Sequence, residues 1–327
     1  MHRIHFSPDD LARVTMLPSL GPLAEAIMSL RMLRPGGADP LFEGWRQQVR
    51  GLTGLRTDVL RAVMPAREPF FDLISAAGVA GTVARSAERL LASPRADIRV
   101  ELDYYAWKQG QVPRALHSFD DDLRVRHEVV DSLVSYHDLA VGPRWQRIQS
   151  LLTADRHNRA LTLFDKGTEG LLATLHPVLR WESPVLTDDS PGAGKDEHHL
   201  DGRGLVLAPS FFCRQPMLLR PAGGGLRCML VYPVLLDPES LVDVWAEPQP
   251  GKALSNLLGR TRAAVLSAIG DGPATTSQLA ALTGSSAASI SQHTSILRGA
   301  GLITSHRYRN TVHHMLAAPG SVLLNKS

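Results

Sequence analysis

Cysteine is nearly absent from this chain, which has two in 327 residues, Cys213 and Cys228. That excludes the disulfide framework of small secreted domains and points to a reducing cytoplasm, with both cysteines as buried free thiols. No run approaches the roughly 20 apolar residues needed to cross a bilayer. The opening Met1–His2–Arg3–Ile4–His5–Phe6 also lacks the apolar stretch of a signal peptide. A cytoplasmic protein with no membrane partner is therefore expected. An internal repeat, a glycine-rich phosphate loop and a G-x-S-x-G elbow are missing too, and no nucleophile, base or metal ligands fall at a recognisable spacing. The expectation is a protein that is not an enzyme and carries no cofactor and no metal.

Acid is scarce at one end. From Gly251 onward the only carboxylate side chain is Asp271, against Lys252, Arg260, Arg262, Arg298, Arg307, Arg309 and Lys326. That segment carries +6, which leaves −3 for the rest of a chain whose net charge is +3. A basic unit joined to a mildly acidic one is the balance expected when one end meets phosphates. Hydrophobic residues make up 44% of the chain, ample for a sizeable core, and the length suggests about two domains.

Within the basic segment the pattern is helix, turn, helix, stop and hairpin. Thr275 or Thr276 offers a hydroxyl to the free amides that open a helix, and Leu279 and Leu282 are expected on its inner face. Gly284 suits the sharp turn because it takes positive φ without steric cost, and Ser286 is placed to cap the next helix. There Ile290, Thr294 and Leu297 point inward at i, i+4 and i+7. The outward positions are read as Ser289, Gln292, His293 and Arg298, with Ser291 and Ser295 on the flanks. Such side chains reach base edges and phosphates, and Gln can pair bidentately with adenine. Gly301 should end the helix in the left-handed conformation. Beyond it, two alternating runs flank a polar tip, a wing whose His306, Arg307 and Arg309 would follow a phosphate backbone or enter the minor groove. With Thr276 and Ser286 added at the helix starts, these residues are the expected DNA contacts.

Ser289–Ile290–Ser291–Gln292–His293, together with Leu297–Arg298–Gly299–Ala300–Gly301–Leu302–Ile303, resembles the ArsR family of bacterial transcriptional regulators over about residues 252–320. The resemblance implies a winged helix-turn-helix that works as a two-fold dimer, with half-sites about one helical turn or a multiple apart. Thr294 stands where the family usually has leucine, which should loosen the packing slightly. Thr276–Ser277–Gln278–Leu279 holds no cysteine where the family's founding Cys-x-Cys metal site lies, so thiolate metal sensing is not expected. His313 and His314 fall where the family often has tyrosines and are read as structural.

The preceding region reads as mainly helical with a smaller β part, giving an α+β chain: an N-terminal helical domain with antiparallel strands, then the winged helix. Ser7 is an N-cap with Pro8 in the first turn and Asp10 at the capping-box position, after a short strand at Ile4 and Phe6. Helical stripes cover Pro22–Met32, Leu41–Met64, Phe70–Leu91, Asp120–Leu139 and Arg144–Leu175, the last with Gly167 and Gly170 as weak points. Breaks fall at Pro35–Gly36–Gly37, Pro65, Ser93–Pro94 and Gly142–Pro143. Strands are expected at Val178–Trp181, Val185–Leu186, Gly204–Leu207, Met217–Leu219 and Leu226–Tyr232, the last two joined by a Pro221–Gly225 hairpin loop. Asp188–Asp196 reads as a mobile loop. His198–His199 is placed in it near Asp196, Glu197 and Asp201, with solvation favoured over a metal site. Asp120–Asp122 is read as complementing a helix dipole rather than holding a cation. Trp107, Trp145, Trp181, Phe211, Phe212 and Tyr232 could wall an apolar pocket, although most aromatics are simply core.

Ile4–His5–Phe6–Ser7–Pro8–Asp9–Asp10–Leu11–Ala12–Arg13, Leu205–Ser210 and Leu230–Pro233 loosely resemble the long leading domain of some actinobacterial ArsR-type regulators, a resemblance that implies no ligand. The expected organisation is a dimerising and sensing domain at 1–236, a linker at 237–251 and the DNA-binding domain at 252–327. The expected function is a cytoplasmic, sequence-specific regulator of the repressor type, a homodimer on an inverted repeat of double-stranded operator DNA, controlled by a small organic effector. Two alternatives stay open, an enzyme with an appended DNA-binding domain and a metal-responsive regulator using a His/carboxylate site. A winged helix serving protein contacts alone is disfavoured by the +6 charge.

Overall fold

Ser7 and Asp10 form the capping box that their spacing predicts. The Ser7 hydroxyl accepts from the Asp10 amide at 3.2 Å, and the Asp10 carboxylate accepts from the Ser7 amide at 2.8 Å. In the computed structural model, which describes residues 2–33, 40–64, 71–191, 195–219, 227–236, 244–245, 250–308 and 311–324, this cap opens α1 (Pro8–Ala12) directly after β1 (His2–His5). β2 (Thr15–Met16) and α2 (Pro22–Ser29) follow. The stripe at Leu41–Met64 resolves into α3 (Glu43–Arg50) and α4 (Thr57–Val63), and that at Phe70–Leu91 into α5 (Leu73–Ala77) and α6 (Val83–Ala92), separated at Gly78 with φ 60°.

The sequence reading did not include α7 (Arg95–Gln109). Its inner residues Ile98, Leu102 and Tyr105 alternate with exposed Val100, Tyr104 and Trp107, so apolar residues lie all round the helix and no single stripe shows. α8 (Leu123–Ala140) and α9 (Trp145–Ala173) fall where expected. Gly167 departs from helical geometry inside α9, with φ 69° and ψ −174°, while Gly170 stays helical.

Six strands come next: β3 (Leu179–Glu182), β4 (Val185–Asp188), β5 (Glu197–His199), β6 (Leu205–Ser210), β7 (Met217–Leu219) and β8 (Cys228–Pro233). One sheet has the order β3-β4-β1-β5 and the other β2-β6-β8-β7. Both are mixed rather than antiparallel as expected: β5 runs parallel to β1, and β6 runs parallel to both β2 and β8. Burial gives the reason. Leu205, Leu207, Cys228, Leu230 and Tyr232 face a core shared with the other sheet, while Ala208 and Val231 face the helical core. A strand covered on both faces carries an unbroken apolar run, the usual character of parallel pairing. His198 and His199 are also placed differently from the reading. They lie in β5 rather than in a loop, paired in register with Ile4 and His5 of β1.

The chain divides into two compact units, Met1–Trp245 and Ala246–Ser327. Of the segment read as a linker, Trp245 packs in the first unit, its indole donating to the Leu41 carbonyl at 3.1 Å. The breaks at Pro35–Gly37 and Pro65, the loop Pro221–Gly225 and most of the linker lie outside the described residues. The second unit contains α10 (Pro250–Leu258), α11 (Arg260–Gly270), β9 (Ala274–Thr275), α12 (Thr276–Thr283), α13 (Ala287–Gly299), β10 (Ile303–Tyr308), β11 (Thr311–Leu316) and α14 (Ala318–Leu323). Its core joins Val265, Leu266 and Ile269 to Leu279, Ile290, Leu297 and Ile303. Among the described residues no helix is long and apolar enough to cross a membrane.

Candidate nucleic-acid interface

Thr275 is the cap of α12. Its hydroxyl accepts from the Gln278 amide at 3.3 Å while the Gln278 side chain returns to the Thr275 amide at 2.8 Å, a second capping box. Gly284 closes α12 in the left-handed region (φ 63°, ψ 25°), where a side chain would be strained. Ser286 caps α13, accepting from the Ser289 amide at 3.2 Å. α13 ends as Gly301 predicts, with φ 70°. The Leu302 amide bonds the Leu297 carbonyl at 2.9 Å and the Gly301 amide bonds Arg298 at 3.0 Å, the two bonds of a Schellman stop. Together these caps set where the second helix starts, stops and turns from the first. Leu279 is buried as expected, but Leu282 is 69% exposed, so only one of the two leucines packs inward. Three residues along a helix is about 300° of rotation, enough to carry Leu282 past the edge of the narrow buried stripe.

On α13, Ile290, Thr294 and Leu297 are buried as the spacing predicts. Thr294 is accommodated because its hydroxyl donates to the Ile290 carbonyl at 2.9 Å, leaving no buried polar group unpaired where the family usually has leucine. The outward face differs from the reading. Ser291, Gln292, Ser295 and Arg298 are exposed, whereas Ser289 and His293 are half-buried at the boundary. At about 100° per residue, the direction opposite the buried triad passes through Gln292, with Ser295 and Ile296 on either side, while His293 is turned toward the core. The His293 Nδ1 is buried with no hydrogen-bond partner among the described residues. The sequence reading left out Ile296, which is 44% exposed; its apolar character hid it among core candidates, although its place in the period puts it outside.

β10 and β11 form the wing, pairing from Ile303↔Leu316 to Tyr308↔Thr311, with β9 on the other side of β11. His306 and Arg307 are exposed on β10, and Arg309 lies outside the described residues. Thr276, expected to contact DNA, is tied to the wing. Its hydroxyl meets His314 Nε2 at 3.1 Å, and His314 Nδ1 meets the Ser305 hydroxyl at 2.8 Å. His314 therefore links α12 to both wing strands. Its burial, with the charges of Arg298 and His313, holds its pKa below the usual 6.5. A histidine held neutral in this way stabilises the fold above its ordinary pKa, and that contribution is lost as pH falls through the folded value. Thermal melts should show the second unit losing stability as pH drops below about 6.5, and His314→Gln should flatten that dependence. An equally steep profile in the variant would place the titration elsewhere.

The first unit offers a different kind of site. A cavity of about 510 Å³ is lined by Leu30, Leu33, Val49, Leu60 and Met64, with Arg50, Arg61 and Tyr136 as polar members. The aromatic residues read from the sequence as a pocket wall are dispersed. Phe211 and Phe212 pack with Phe42, Trp181 stands edge-on to Phe6, the Tyr232 hydroxyl donates to Asp155 at 2.8 Å, and Trp107 is 72% exposed. In the acidic run Asp122 caps α8, and Asp120 ion-pairs with Arg99 at 2.8 Å although its Oδ2 is buried without a hydrogen bond among the described residues. Reading the sequence also missed a group that pairing assembles, His5 with Glu197 and His199. The outward position of His5 beside Ile4 was legible from strand alternation, but its partner strand was not.

No curated protein and no solved structure matches the chain. Residues 259–305 match the family described as bacterial regulatory protein, arsR family, a segment running from the start of α11 through α12 and α13 into β10. The chain thus carries a helix-turn-helix of the arsR family of bacterial regulatory proteins, the DNA-binding fold of a transcriptional regulator.

Proposed function

We propose that this protein is a sequence-specific transcriptional repressor that acts in the cytoplasm as a homodimer on an inverted repeat, reading bases with α13 and following the backbone with the wing. The observation that carries this is the capped arsR-type helix-turn-helix whose exposed face is centred on Gln292, in a segment with one acid. Ser291, Ser295 and Arg298 flank that glutamine as phosphate or base contacts, and His306, Arg307 and Arg309 supply the wing. Thr276, Ser286, Ser289 and His293 serve to position the helix.

The first unit is proposed to dimerise and to bind an organic effector. Val100, Tyr104 and Trp107 are exposed at i, i+4 and i+7 of α7, and exposed apolar stripes of this kind mark association surfaces. The cavity with apolar walls and two arginines suits an amphipathic organic anion. Tenfold release from DNA by such a ligand requires about 1.4 kcal/mol of coupling between the two sites.

The test is gel retardation with the DNA upstream of the protein's own coding sequence, together with light scattering. A two-fold-symmetric footprint and a dimeric mass are expected, and Trp107→Glu should give a monomer with at least tenfold weaker operator binding through lost avidity. Failure to retard any inverted repeat in preference to random DNA would favour the enzyme with an appended domain. A dimer that persists in Trp107→Glu would move the interface off α7.

A further inference from the structure

We propose that His5, Glu197 and His199 form a binding site for a zinc-like divalent cation on the outer face of the first unit's β3-β4-β1-β5 sheet. The proposal stands apart from DNA binding and rests on strand register. β5 pairs with β1 in parallel so that His5 lies opposite His199 and Arg3 opposite Glu197. Side chains alternate along a strand, so these four share one face while Ile4 and His198 take the other. One ligand atom from each of His5, Glu197 and His199 lies within 4.8 Å of the other two.

Three details favour a cation over an ordinary polar contact. The His5 Nε2 lies 3.2 Å from Glu197 Oε2, yet it is buried with no hydrogen bond among the described residues. The two atoms are thus close without the alignment a shared proton requires. Two ligands bound to tetrahedral zinc at about 2.0–2.1 Å lie roughly 3.3 Å apart, so this pair already spans one edge of a zinc site. The other carboxylate oxygen is occupied, since Arg3 donates to Glu197 Oε1 at 3.2 Å. Arg3 thereby turns Oε2 toward His5, as outer-shell partners orient metal-ligating carboxylates. Finally, the His5 and His199 rings stack with centroids 4.4 Å apart and planes 14° apart, so that the pairing of β5 with β1 brings both imidazoles to one place on the sheet face.

His199 is exposed and can turn about its side-chain torsions to aim its nitrogen at the ion. Two imidazoles and one carboxylate suit zinc and its first-row neighbours rather than calcium or magnesium, which take mostly oxygen ligands. Three protein ligands leave a fourth position for water or an anion. Zinc would cross-link edge strand β5 to β1, the only strand it pairs with among the described residues.

The experiment uses the full chain, stripped with a chelator and then desalted, titrated with Zn²⁺ by calorimetry and with Co²⁺ by visible absorption. One equivalent of Zn²⁺ per chain should bind and raise the melting temperature, and Co²⁺ should show the d–d bands of a low-coordinate nitrogen and oxygen site. His199→Ala and Glu197→Gln, both at exposed positions, should each weaken Zn²⁺ by more than about tenfold, the loss seen when even an outer-shell partner is removed. Far-UV circular dichroism of both variants should match the parent. No saturable binding, undiminished affinity in both variants, or a sulfur-to-cobalt charge-transfer band that puts the ion on cysteine would each overturn the proposal.

Discussion

Gln292→Ala is expected to weaken binding to the correct operator by about 1–3 kcal/mol, the loss of one bidentate base contact, while affinity for random DNA stays nearly constant. The expectation follows from the geometry of α13. Gln292 lies opposite the buried Ile290, Thr294 and Leu297, so it is the side chain presented most squarely to whatever the helix enters. Its short neighbours Ser291 and Ser295 leave its amide room to reach a base pair. Competition binding with operator and scrambled duplexes reads the ratio directly, and an unchanged ratio would remove Gln292 from the reading set. The wing provides the contrast. Arg307→Ala combined with Arg309→Ala should weaken binding to all DNA and reduce the slope of log affinity against log salt by roughly two, because phosphate contacts release counterions without reading sequence. A constant slope would lift the wing off the backbone.

Glu25→Ala is expected to be the most destabilising single change in the first unit. Glu25 lies on α2, fully buried, and its carboxylate accepts from the Ser210 hydroxyl at 3.0 Å, the Phe211 amide at 3.1 Å and the Phe212 amide at 3.2 Å. It thereby satisfies the backbone where β6 leaves the sheet and enters the helical core. Removing it orphans three buried donors at once, a cost of about 4 kcal/mol or more against the roughly 5–15 kcal/mol that holds an ordinary domain folded. Denaturant melts should show the unfolding midpoint of the first unit fall by the corresponding amount, and a loss under about 1 kcal/mol would mean that water replaces the carboxylate.

The same burial pushes the Glu25 pKa up to about 7, desolvation outweighing the three donors. A carboxylate whose folded pKa is raised contributes stability that is fully present below its ordinary value of 4.5 and is lost as pH rises through about 7. Over that window the loss amounts to roughly 3 kcal/mol. Glu25→Gln should be less stable than the parent at low pH, since one oxygen acceptor is gone, and should lose the pH dependence. An unchanged profile would assign the titration to another group.

The legibility of this chain follows the range of its interactions. The caps at Ser7 and Ser286 and the inward triad of α13 match the reading, and Thr275 is one of the two candidates for its cap, because each depends on residues within one or two turns. The recognition face was read only roughly, since Ser289 and His293 shift to the boundary once Ile290, Thr294 and Leu297 define the buried direction together. α7 escaped because its outer face is apolar as well, a pattern with no period to detect. Glu25 carried no signal at all; what marks it is the set of donors brought to it from more than 180 positions away.

By itself the sequence determined the winged helix-turn-helix, its caps and stops, its basic charge and the mainly helical character of what precedes it, because local backbone preference and a single hydrophobic period suffice for each. Only the tertiary structure decided the parallel pairing of the sheets, the replacement of an expected loop by β5, and the meeting of His5 with Glu197 and His199. Those depend on which strands become neighbours across distances such as the 194 positions between Arg3 and Glu197, and that choice is made by burial of both sheet faces rather than by anything written near either residue.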